Sequence, residues 1–183
     1  DKLKFTGELR YVYWSHRDEN ATGTKNRNNT NRLELRLFPT AEINDYWTAK
    51  ARLTMRSNLK DDSIGDVMST YVYADGNYDN FQLKVGKMPL YSDNDDGLTV
   101  DDFFSGAQVT VGNKLKAILE AGRWHGGIFS TDTSSYQGIQ LNYDSKKFFA
   151  GLGYRNFESD SVNNLATYSD TNDTDSARLI SAG

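Results

Sequence analysis

Apolar and polar side chains alternate along segments of roughly ten residues spread over the whole chain, the two-residue period of strands whose faces meet different surroundings. From Leu3 to Tyr13 one face carries Leu3, Phe5, Gly7, Leu9, Tyr11 and Tyr13, and the other Lys4, Thr6, Glu8 and Arg10. Leu33, Leu35 and Leu37 alternate with Arg32, Glu34 and Arg36; Trp47, Ala49, Ala51, Leu53 and Met55 alternate with Thr48, Lys50, Arg52, Thr54 and Arg56. Weaker repeats at 68–75, 80–87, 106–112, 114–123, 135–143, 147–155 and 177–182 bring the expectation to ten strands. Residues 114–124 are rich in strong helix formers, but their alternation is read as strand.

The expected connections alternate between long and short: 15–31, 39–45, 57–67, 76–79, 89–105, 113 alone, 125–134, 144–146 and 158–176. Long connections gathered at one end are a habit of transmembrane β-barrels, which pair short periplasmic turns with long outer loops. Composition narrows the choice. The chain is 37% hydrophobic yet 13% aromatic, with net charge -4, so it is too aromatic for a solvated tail. No stretch approaches the ~20 apolar residues of a membrane helix. Hydrocarbon admits only helices and closed barrels, so a chain of this pattern that spans must close its sheet. Alternation alone does not say which face is outside. Charged ladders on the polar face, small residues such as Ala49, Ala51, Ala117 and Ala121 on the apolar one, and aromatics near strand ends favour lipid outside and water inside. The aromatics expected at the membrane interfaces are Tyr11, Tyr13, Trp47, Trp124, Tyr143 and Tyr154.

The segments LKFTGELRYVYWSHR (3–17), NRLELRLFPTAEIND (31–45) and FQLKVGKMPL (81–90) resemble the barrel of the OmpM-type porins of diderm Firmicutes and, more distantly, general trimeric porins. The resemblance runs over essentially the whole chain through strand patterns. It implies an antiparallel up-and-down barrel in the outer membrane of a diderm bacterium, part of a sixteen-stranded barrel assembled as a homotrimer. Residues 1–183 then form a single β-barrel domain, apparently incomplete, lacking C-terminal strands and the N-terminal S-layer-homology domain through which that family grips peptidoglycan.

General porins fold the loop after the fifth strand into the lumen. The matching stretch, 89–105, carries Asp93, Asp95, Asp96, Asp101 and Asp102, expected to oppose a basic ladder of Arg10, Arg32, Arg36, Lys50, Arg52, Arg56 and Lys84. The resulting expectation is passive diffusion of small hydrophilic solutes and ions, with membrane lipid as partner and no cofactor. Some of those arginines have an alternative structural role as ion-pair partners of Glu8, Glu34 and Glu120. An EF-hand reading of Asp93–Gly97 fails, because Leu98 sits where glycine is needed and Phe104 where a carboxylate is needed, so no metal site is assigned. The Asp170, Asp173 and Asp175 cluster is equally nonspecific. His16 and His125 are the only histidines, no nucleophile motif accompanies them, and no enzyme is expected. A sequence pI near 5.2, with basic residues dispersed along strands, excludes nucleic acid. Two rival readings are a soluble ligand-binding β-barrel and an outer-membrane anchor with a plugged lumen.

Overall fold

The computed structural model describes residues 2–19, 23–59, 63–98, 100–124, 135–145, 148–158 and 176–183. His125 and the Asp170, Asp173 and Asp175 cluster lie outside the described residues. Ten antiparallel strands follow one another in a single sheet in chain order. They are β1 (Leu3–Glu19), β2 (Lys25–Glu42), β3 (Trp47–Asn58), β4 (Ser63–Tyr78), β5 (Phe81–Tyr91), β6 (Asp101–Val111), β7 (Leu115–Trp124), β8 (Ser135–Asp144), β9 (Phe149–Glu158) and β10 (Ser176–Ala182). The expected all-β, up-and-down order is thus present. Every ladder among the described residues joins sequence neighbours, and none joins β1 to β10. No helix among them is long and apolar enough to cross a membrane, which says nothing of strands.

Several strands run further than the apolar pattern predicts. β1 and β2 stay in register from Leu3↔Ala41 to Glu19↔Lys25, so residues 15–19 and 25–31 of the expected loop are strand. Backbone hydrogen bonds extend a hairpin without needing apolar side chains, and polar pairs such as Ser15 Oγ donating to Asn29 Oδ1 at 2.7 Å replace them. Likewise, β5 and β6 absorb both ends of the expected 89–105 loop, leaving Ser92–Val100 as the connection. Pro89 lies beyond Lys87, the last β5 residue in the described register with β4, and stands opposite Phe103 of β6. The helix formers of 114–124 are strand β7, since pairing on both sides overrides local propensity.

The chain divides into two compact units, Asp1–Ala41 with Lys50–Thr70, and Glu42–Ala49 with Tyr71–Gly183. In the first, Leu3, Phe5, Leu9, Tyr11 and Tyr13 are exposed, whereas Glu34 and Thr54 are buried. Leu33, Leu35, Leu37 and Leu53 are half-buried and belong to no buried apolar cluster among the described residues. The second unit repeats this inversion. Val85, Leu115, Leu119, Leu152 and Ile180 are exposed, the last at 75%, while Asp75, Glu120, Gln140, Asn142 and Arg155 on the opposite face are buried.

A buried apolar cluster of Met88, Leu90, Val100, Phe104, Tyr136 and Phe157 lies on that opposite face, with Trp124 and Leu179 against it. Gly86, Gly106 and Gly122 stand side by side across β5, β6 and β7 in the same row. A Cβ on Gly106 would run into the Ala121 carbonyl and come within 2.6 Å of Gly122 Cα, so glycine is what lets β6 and β7 approach so closely. Gly106→Ala is expected to lower stability by about 1–3 kcal/mol, read as thermal unfolding in detergent; an unchanged midpoint would remove this explanation.

Candidate functional site

The Ser92–Val100 connection does not project away from its unit. It turns back onto the polar sheet face, where its 3-10 turn at Asp93–Asp95 meets β8, β9 and β10. Ser92 closes the turn. Its N–H donates to the Val100 carbonyl at 3.0 Å, its hydroxyl receives the Val100 N–H at 3.1 Å, and the same hydroxyl meets the Asp95 carboxylate. Asp96 takes the left-handed conformation (φ 54°) and accepts a hydrogen bond from the Tyr91 hydroxyl at 2.7 Å. The compact turn is therefore held by its own polar groups before it touches the sheet.

Two side chains of the sheet then grip it. Gln140 Nε2 and Arg155 Nη2 both donate to the Tyr91 carbonyl, at 3.4 and 3.3 Å. Arg155 is 0% exposed, and its Nη1 reaches Ser181 Oγ at 3.5 Å. Beside it, Glu120 receives the Tyr136 hydroxyl and, at 2.8 Å, the Gln108 amide. A buried carboxylate is tolerable when it is hydrogen-bonded and a guanidinium is near; Arg155 acts on both Glu120 and Tyr136. Between the docked turn and the sheet lies a cleft of about 250 Å³ whose lining includes Lys84, Asp93, Lys116, Asn142, Asp144 and Phe149.

The structure distributes the expected acidic residues unequally. Asp93 faces the cleft, Asp95 is bound to Ser92, and Asp96 is exposed beside Tyr91. Asp101 and Asp102 do not belong to the connection at all. They open β6, opposite Tyr91 and Leu90, and Asp102 Oδ1 accepts the Phe103 N–H at 2.9 Å. The expected basic ladder also divides. Lys84 lines the cleft, whereas Arg32, Arg36 and Arg56 gather on Glu34 in the other unit. Arg36 Nε lies 2.6 Å from Glu34 Oε1, and Arg56 Nε and Arg32 Nη2 lie 3.2 and 3.6 Å from Oε2. Arg36 also pairs with Glu8 at 2.9 Å. For these three the ion-pair alternative describes the geometry; Arg10 lies opposite Glu34 in the β1–β2 register, and Lys50 and Arg52 are half-buried on β3.

Of the expected interfacial aromatics, Tyr11, Tyr13, Tyr143 and Tyr154 are exposed. Trp47 is half-buried, donating its indole N–H to the Tyr78 hydroxyl at 3.1 Å, and Tyr78 stacks on Tyr46. Trp124 is also half-buried. It shares the strand parity of Ile118 and Glu120, turns to the polar face and meets Phe157 edge-on at 4.9 Å between ring centres. His16 stacks on Trp14 and meets Asp18, and among the described residues no three His or carboxylate groups are grouped to hold a metal. Arg155, Gln140 and Lys116 escaped the sequence reading; their strand parity marked the face, but nothing local said that a connection fifty residues earlier would land there. A scan against protein-family models and a search of the curated proteins each found no match for this chain.

Proposed function

We propose that the chain is barrel wall of an outer-membrane porin, through which small hydrophilic solutes and ions diffuse past a connection folded over the lumenal face. The observation that carries this reading is the inverted burial: large apolar side chains are exposed on one face, while Glu34 and Thr54 in the first unit and Asp75, Glu120, Gln140, Asn142 and Arg155 in the second are buried on the other. An exposed apolar surface of this extent suits lipid better than water. Closure is part of the proposal. In hydrocarbon the free edges of β1 and β10 would have to pair, with each other or with further strands. The trimeric assembly and the kinship to OmpM-type porins belong to the same proposal.

The docked turn supports this reading because a segment held across the polar face narrows a bore without closing it. Its filling of that face also favours a second reading, a membrane anchor whose lumen is plugged. Reconstitution in planar bilayers separates the two. Discrete ohmic steps in KCl, with sugar-dependent swelling of proteoliposomes, are expected of the porin; membrane retention without conductance would point to the anchor. A chain that stays monomeric and soluble without detergent would overturn both.

A further inference from the structure

We infer that the cleft beneath the docked turn is a binding subsite for small zwitterions, molecules that carry a carboxylate and an ammonium on one short carbon chain. The inference rests on the porin reading for the route by which solute arrives, but not for binding itself. The cleft holds about 250 Å³, below the ~300–1,000 Å³ of pockets that take drug-sized ligands, so its occupant has few heavy atoms.

Its charges are balanced and uncommitted. Lys84 and Lys116 supply two ammonium groups, and Asp93 and Asp144 two carboxylates; among the described residues none of the four forms an ion pair within 4.0 Å. A ligand of one sign would meet as much repulsion as attraction, whereas a zwitterion engages both sets. The amide donors nearby are already used, since Gln82 donates to Asp75 and Gln108 to Glu120, each at 2.8 Å.

Asn142 provides an independent sign of a missing donor. It is only 5% exposed, it lines the cleft opposite Lys116 in the β7–β8 ladder, and its Oδ1 has no hydrogen-bond partner. A buried carbonyl oxygen left without a donor is costly, and a ligand N–H placed there removes the penalty. Ile118 and Phe149 add apolar wall for the carbon chain between the two charged ends.

The test uses γ-aminobutyrate, with butyrate, butylammonium and 1,4-butanediol as comparators of similar length. Calorimetric titration of the detergent-solubilised chain is expected to give saturable binding of γ-aminobutyrate, with each comparator weaker by about tenfold or more. Asn142→Leu and the exposed Lys116→Gln should each weaken it by about fivefold; Lys116→Gln removes a solvent-facing charge and so leaves folding intact. In bilayers the same solute should reduce the KCl current over the same concentration range. Absence of saturable binding, equal binding of a single-signed comparator or of the diol, or indifference to both substitutions would overturn the inference. Binding without any conductance would instead count against the pore and leave the subsite standing.

Discussion

Arg155→Ala is expected to unseat the Ser92–Val100 connection while the strands remain paired. Arg155 is fully buried, and it links the Tyr91 carbonyl on one side to Ser181 on the other while its charge acts on Glu120. Truncation removes charge-assisted hydrogen bonds worth about 1.5–3 kcal/mol and leaves the Glu120 carboxylate buried without its neighbouring cation. The total loss should reach about 3–5 kcal/mol, the range for breaking a buried polar network. Arg155→Lys should recover little, because a single ammonium does not span two acceptors as a planar fork does. Gln140→Leu should cost less, since it removes one neutral donor at 3.4 Å. Amide exchange at residues 92–100 is the direct readout; on the porin proposal it would be accompanied in bilayers by a larger and noisier single-channel current. Parent-like exchange in Arg155→Ala would show that the turn's own hydrogen bonds, Gln140 and the apolar contacts at Leu90 and Val100 hold it without Arg155.

Glu34→Gln should be the most damaging single substitution in the other unit. The carboxylate is 1% exposed and is approached by three guanidinium groups, those of Arg32, Arg36 and Arg56. A neutral amide of the same shape leaves three cations around one point, with only Glu8 on Arg36 left to balance them. Breaking a fully buried pair costs about 3–5 kcal/mol, but here the arginines keep partial contact with solvent, so about 2–3 kcal/mol is expected. Glu8→Gln serves as the internal comparison. Glu8 is exposed and pairs with Arg36 alone, and its loss should cost less than about 1 kcal/mol. Thermal unfolding in detergent ranks the two. If Glu8→Gln proves as harmful as Glu34→Gln, the arginines are not organised around Glu34.

Neutralising Glu34 in the company of Arg36→Leu should be milder than Glu34→Gln alone, because one uncompensated charge goes with it. Such a cycle distinguishes an ion-pair cluster from mere packing. In the pore proposed above, arginines committed to Glu34 would be less available to passing anions than a free ladder.

The two-residue alternation was sufficient to determine the class of this protein: strands, their order along the chain, and which side chains share a face. That information is local, because consecutive side chains of any strand point to opposite sides whatever lies beyond. That Leu119 and Ile180 stand on the opposite sheet face from Glu120 and Arg155 follows from it directly; which of the two faces is exposed does not. Strand ends were less legible, since polar hairpins such as Ser15–Asn29 extend by backbone pairing that leaves no hydrophobic signature. What only the tertiary structure decided is which polar groups meet. Arg155 and Tyr91 are 64 residues apart and were brought together by the return of the β5–β6 connection onto β8, β9 and β10. Trp124 lies on the polar sheet face because register parity outranks its place near a strand end, and Asp101 and Asp102 left the loop because β6 pairs to its last partner. Periodicity assigns a side chain to a face; register and the path of the connection choose its partner.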